Sequence, residues 1–348
     1  MKTLPSLGLL SLMFMATRLC GQTYPPAQYI AYQTLTPILI DGRPDSAWQS
    51  APWSDYFIDI EGVETPMYHT RVKMLWDSTY LYFYAELEEP HVWADIRQRD
   101  AVIFYNNDFE IFIDPDGDTH HYMEFEINAL NTVWDLFLTK PYRNQPQVID
   151  AWDIPGLKTA VQVRGTLNQP EDVDEGWSVE IAMPWAALTE AGSQRGLPVG
   201  EYWRINFSRV NWHTTVEGGR YARQQDAQGN YLPEFNWVWS PQGVVNMHEP
   251  ERWGYVYFSE ELSETKEATP LSADEPLQWQ LYEIYRKLRR EPADPTTSVV
   301  DTLRIGDKRL PVYREYHRSG WNLWVISPFT GQQLLLKEDG QRLMLPPP

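Results

Sequence analysis

Cysteine is almost absent: Cys20 is the only one in 348 residues. It falls in a segment expected to be removed, so no disulfide can brace the mature chain, and stability must come from an ordinary core. Long apolar runs are missing too. Nothing beyond the amino-terminal leader approaches the ~20 consecutive apolar residues of a membrane-spanning helix, so membrane insertion is not expected. Positive charge is scarce, with 29 Lys and Arg against 48 Asp and Glu and a formal net charge of −19. Such a field disfavours nucleic acid and anionic membrane surfaces as partners. A neutral ligand is not penalised. Internal repeats, low-complexity tracts, a nucleophile elbow, HExxH and a phosphate loop are all missing.

What is present starts with Lys2 and an apolar run from Leu7 to Met15 that ends in small and polar residues. This is the pattern of a secretory signal peptide over residues 1–21, cleaved after Gly21, and it implies a periplasmic or extracellular protein. Arg18 and Leu19 lack the small side chains that a lipid-attachment site uses, which argues against an anchor on Cys20. Losing the leader removes Lys2 and Arg18 and no acid, so the mature chain is still more acidic.

The chain holds 16 Trp and 20 Tyr. Amphipathic rings stack on the apolar faces of sugars, but they also fill cores, and composition alone leaves both readings open. Period-two alternation recurs from Ile38 to Phe258, at Thr70 to Trp76, Leu81 to Leu87, Phe109 to Ile113, Tyr122 to Asn128, Trp177 to Met183 and Tyr202 to Val210. The expected fold is all-β, an antiparallel two-sheet β-sandwich of jelly-roll or immunoglobulin-like kind. Helical signal there is limited to a turn after Pro184 and the stretch Pro90 to Arg99. Residues 22–37 are read as an arm ahead of this sandwich (38–258), and 259–276 as an acidic linker. Leu277, Leu281, Ile284, Tyr285 and Leu288 then recur at helical spacing, and several short strands follow. Residues 277–348 are expected to form a C-terminal helix and β-hairpin appendage.

In Asp108 to Asp114 the strand period separates Phe109, Ile111 and Ile113 from Asp108, Glu110, Phe112 and Asp114. In Tyr122 to Asn128 it separates Met123, Phe125 and Ile127 from Tyr122, Glu124, Glu126 and Asn128. Arg204, Asn206 and Ser208 extend the polar face, and Arg204 could pair with one of its carboxylates. Such a face suits sugar hydroxyls, which both donate and accept; a solvated outer face is the plainer alternative. Asp114, Asp116 and Asp118 gather three carboxylates in one turn, a donor set that suits calcium, although the loop is not an EF-hand. Paired acids also admit a glycoside hydrolase, and Met74, Met123, Met247 or His248 could serve as axial ligands of a haem or redox sandwich. A surface scaffold without a ligand is a further alternative.

An ordered series of motifs then stands out: Ile40-Asp41-Gly42 with Ala47-Trp48, Val72 to Asp77 with Tyr80-Leu81-Tyr82, Asp108 to Asp114, Gly176 to Trp185, Trp203 to Arg209, and His248 to Gly254. Together they resemble the family 9 carbohydrate-binding modules of exported bacterial proteins, over roughly Ile38 to Phe258. The resemblance implies a two-sheet sandwich, often calcium-bearing, that holds sugar between two aromatic rings without catalysing its hydrolysis. It implies oligo- or polysaccharide as partner and association with polysaccharide-degrading enzymes. By position, Glu110 matches a sugar-contacting glutamate, Asn128 an asparagine, and Glu126 falls where well-studied members carry arginine. Phe104 or Tyr105 would be one ring. The second position falls near Met247, which is no ring, so Trp237 or Trp239 would have to replace it.

Overall fold

The computed structural model describes residues 25–191, 196–263, 270–290 and 298–347. The leader over 1–21 and Cys20 lie outside the described residues, as does part of the expected linker.

One curled sheet of thirteen strands forms the larger part. Its path runs from Val148–Ile149 through Val133–Leu138, Tyr122–Asn128, Asp108–Asp114, Tyr202–Asn211 and Gly254–Ser259. It continues through Gln28–Gln33 into Thr70–Trp76, Tyr80–Glu88, Gly176–Pro184 and Lys158–Arg164. The two halves face each other as the layers of a sandwich-like all-β fold. Phe109, Ile111, Ile113, Met123, Phe125 and Ile127 from one layer meet Val72, Met74, Phe83, Val179 and Ile181 from the other in a single buried core. The apolar halves of the alternating strands are therefore the inward halves, as the period requires.

Gln28–Gln33, expected in an arm ahead of the sandwich, is a strand within it. It pairs in parallel with Gly254–Ser259 along most of its length and with Thr70–Trp76 at its end, which joins the two layers. The stretch Pro90 to Arg99, where helical signal was expected, forms neither helix nor strand. Its amides are taken by side chains instead: Val92 N donates to Asp174 (2.8 Å), Ala94 N to Asn168 (3.0 Å), and Asp95 N to Asn106 (3.0 Å). With those donors satisfied, a helical ladder has nothing to offer.

A sixteen-residue helix, Glu275–Arg290, lies on a separate five-stranded antiparallel sheet built from Val299–Ile305 to Arg342–Leu345. Leu277, Leu281, Tyr282, Ile284, Tyr285 and Leu288 pack there on Leu303, Val312, Leu323 and Leu334, a core distinct from that of the sandwich. The helical spacing seen in the sequence is thus the buried face. Pro276, in the first turn, costs no internal hydrogen bond.

Charge ties the two parts together. Arg143 donates to Glu249 (2.8 Å) and Glu251 (3.0 Å), and Arg286 of the helix to the same pair (3.0 and 2.6 Å). Burial alone would raise the Glu251 carboxyl, but Arg143 and Arg286 outweigh it and hold the group down at about 2. A carboxyl held below its unfolded value of 4.5 contributes stability that is present above that pH and is lost on descending toward about 2. The Tm of the wild type should therefore fall more steeply than that of Glu251→Gln between pH 4.5 and about 2, as followed by scanning calorimetry. Parallel slopes would show that the ion-pair cluster contributes nothing.

Candidate functional site

The polar face expected from the two alternating strands exists, but it is not a solvated exterior. Asp108, Glu110, Glu124 and Glu126 are all buried, and Glu110 keeps only 4% of its surface exposed. The ladder explains the crowding. Glu110 stands opposite Glu126 on one side and Ser208 on the other, while Glu124 stands opposite Phe112. Carboxylate oxygens of Asp108, Glu110 and Glu126 lie within 4.8 Å of one another.

Two segments fold back over this face. The 3-10 turn Ile103–Tyr105 brings the Phe104 amide to Glu126 (2.9 Å). The loop that precedes Gly254–Ser259 lays Met247 and Trp253 on Phe112, Tyr122 and Leu136. His248 accompanies them, with Nδ1 2.8 Å from the Tyr122 hydroxyl and Nε2 3.9 Å from Glu124. Burial, reinforced by Arg143, pushes His248 down to about 3, so its ring is neutral and does not offset the acids. Burial pushes Glu110 up to about 7. Asp108, Glu124 and Glu126 are raised well above the usual carboxylate range, first by burial and then by the neighbouring Glu110.

Of the residues singled out from sequence, Phe104, Glu110 and Glu126 meet here, and Tyr105 belongs to a neighbouring group. Asn128, across the ladder from Asp108, and Arg204, Trp237 and Trp239 have their side chains engaged elsewhere. Asn128 is spent on a turn: its amide donates to Ile96 O (2.9 Å) and Asn106 (3.1 Å), and its oxygen accepts from Leu130 N and Thr132 N. Arg204 reaches away from Glu110. It donates to Glu251 O (2.6 Å), lies over the Tyr255 ring and stands 3.9 Å from Glu275 of the helix.

Trp237 and Trp239 are turned into the interior. Trp237 stands across the ladder from Arg209, whose side of the strand is the core side, and packs on Tyr68 and Phe235. Trp239 packs between Tyr29 and Phe207. Neither can replace the ring missing at Met247, which is itself buried. Met74 and Met123 lie in the inter-layer core, apart from Met247 and His248, so no axial pair assembles from them.

The sequence reading missed Trp134 and Tyr142. Trp134 faces Glu126 across the ladder, is half-buried, and has an indole N–H with no hydrogen-bond partner. Tyr142 meets His248 edge to face at 4.3 Å. Burial, then Glu124, Asp150 and Glu126, raises its hydroxyl to about 12. The signal that could have found Trp134 is its place in Val133–Leu138, the strand directly after the second acid stripe.

Beside Phe104 lies a second aromatic group. Tyr105 is 47% exposed and, with Trp212 and Tyr231, surrounds the Arg223 guanidinium at 4.8, 4.6 and 4.0 Å from the ring centres. Trp212 connects the two regions, because its indole N–H donates to Phe104 O (2.8 Å).

A sandwich-like all-β unit with acids and rings gathered on one sheet face, extended by a helix and a five-stranded sheet, is the class that this architecture defines. The chain belongs to the family described as carbohydrate family 9 binding domain-like, which matches residues 40–217. Among solved structures it is similar to a family 9 carbohydrate-binding module from Caldicellulosiruptor kristjanssonii in complex with cellotriose. There the identity is 16% and the TM-score 0.43, with 70% of this chain and 99% of that chain covered. The same module with glucose gives 16%, 0.43, 69% and 100%. A protein from Bacteroides uniformis gives 15%, 0.48, 67% and 99%. No curated protein matches the chain. Among the described residues no helix is long and apolar enough to cross a membrane.

Proposed function

We propose that this chain binds oligo- or polysaccharide without cleaving it, as an exported partner of polysaccharide-degrading enzymes. The observation that carries this reading is the meeting of Glu110 and Glu126 with the Phe104 turn and the half-buried Trp134 on one sheet face. Carboxylates accept from vicinal hydroxyls while a ring covers the apolar face of a pyranose. Family membership supports the ligand class, and the apolar run behind Lys2 supports export. Affinity gels containing soluble xylan or cellulose derivatives, backed by calorimetry with xylo- and cello-oligosaccharides, test the reading. Retardation with saturable heat is the expected result; migration unchanged on every glycan, with no heat, would end it.

Calcium at Asp114, Asp116 and Asp118 is part of the same proposal. The donor set fits, since one oxygen from each lies within 4.8 Å of the others. Asp114 is buried and raised well above the usual range by that burial and then by Asp116 and Asp118, so a cation there relieves a real cost. Its oxygens also accept from Gly117 N (3.0 Å) and Thr119 N (2.8 Å), which fixes the turn and leaves further lone pairs. An ion would hold this turn against the appendage, because Asp118 accepts from Gln341 (2.7 Å). Saturating calcium should stabilise the protein by roughly 2.7 kcal/mol at a hundred times Kd. A chelator should lower Tm accordingly in differential scanning fluorimetry. An identical Tm with and without chelator removes the ion.

A further inference from the structure

Four acids stand on one sheet face, and among the described residues neither Glu110 nor Glu126 forms an ion pair. The cations nearby are otherwise engaged. Arg209 lies on the core side of its strand and pairs with Glu89 at 3.2 Å, and Arg204 is held by the Glu251 carbonyl. Keeping several uncompensated carboxylates charged out of water costs several kcal/mol per group unless a proton or a cation joins them.

An acid cluster alone is no site, but one buried oxygen without a partner points to a ligand at this one. Asp108 is wholly buried; one of its oxygens accepts from Val210 N, and the other, Oδ2, has no hydrogen-bond partner. Ser208 is wholly buried as well and lies beside Glu110 on the same face, where its hydroxyl meets the Glu110 carboxyl. Buried polar atoms are nearly always satisfied, and an unsatisfied carboxylate oxygen beside the carboxylates of Glu110 and Glu126 marks a place for a ligand rich in positive charge.

We propose that Asp108, Glu110 and Glu126 form a second divalent-cation site, separate from the Asp114 turn and suited to calcium. Oxygens spaced no more than 4.8 Å apart can share a point about 2.8 Å from each, a few tenths of an ångström outside the 2.3–2.6 Å of calcium and far outside the 2.0–2.1 Å of magnesium. All three donors are hard oxygens, and Ser208 is placed to add a fourth. The ion would discharge the face that sugar is proposed to meet, yet the site does not require a glycan.

Terbium, a calcium surrogate, is the probe, and it is added to the full chain without any sugar. Trp134, across the ladder from Glu126, is positioned to sensitise its luminescence. Wild type should bind one ion that both Glu126→Gln and Glu110→Gln weaken at least tenfold in calorimetry, while Asp116→Asn retains it. Trp134→Phe should dim the indole-sensitised emission without changing the calorimetric affinity. Both Gln variants remove an uncompensated buried charge, so each should fold, judged by near-ultraviolet circular dichroism, with a metal-free Tm at or above that of wild type. Unchanged stoichiometry and affinity in the two folded Gln variants would overturn the site. Glycan retardation persisting in that case would leave the sugar reading intact, which keeps the two failures distinguishable.

Discussion

Glu110→Ala combined with Phe104→Ala should abolish retardation on any glycan gel that retards the wild type. A hydrogen bond from a sugar hydroxyl to a buried carboxylate contributes roughly 1.5–3 kcal/mol, or about ten- to a hundredfold in affinity at 1.4 kcal/mol per decade. Loss of the ring removes stacking area as well. The turn should survive, because Phe104 contributes its amide to Glu126 through the backbone, which alanine retains. Trp237→Phe is the contrasting change. Its ring is enclosed by Tyr68, Phe235 and the Arg209 guanidinium, so stability should suffer and glycan affinity should not. Equal loss of binding in both proteins would show that the rings act only through the fold.

The second large effect is expected at Arg209. This side chain is wholly buried and donates to Glu88 O (2.7 Å), Thr70 (3.1 Å), Asn211 (3.0 Å) and Glu89 (3.2 Å). Glu89 in turn accepts from the Trp177 indole at 2.8 Å. The group bridges the two layers, since Thr70 and Glu89 belong to one and Arg209 to the other. Arg209→Met keeps the stem but strands the Glu89 carboxylate, at a cost of about 3–5 kcal/mol. In a domain of this size that is a fall in Tm of roughly 6–20 °C. Glu89→Gln in the same chain should recover much of it, as the two residues share one network. Strictly additive losses in thermal unfolding would disprove the coupling.

Much of the architecture was legible. Thr70–Trp76 and Tyr122–Asn128 have the expected bounds, because alternation and flanking turn residues are local signals. The Asp77 turn shows the chemistry directly: one carboxylate oxygen accepts from Thr79 N (2.6 Å) and Tyr80 N (2.8 Å), closing the hairpin. Pro90 to Arg99 misled because its amides bind side chains far along the chain, which no local pattern records. Trp237 and Trp239 misled for a related reason. Spacing by two puts both on one face, but only the pairing of Trp237 with Arg209 tells which face is inside.

The amino-acid order by itself determined the acidic field, the strand periods, the amphipathic helix and the pairing of apolar against acid faces in Asp108–Asp114 and Tyr122–Asn128. Only the tertiary structure decided that those acids are enclosed, that the Asn128 amide is spent on a turn while Arg204 reaches away, and that Trp134 joins them. Alternation is a property of one strand, whereas enclosure depends on register between strands and on the loops that return across the sheet. Those contacts are made between residues whose separation along the chain erases any shared local signature.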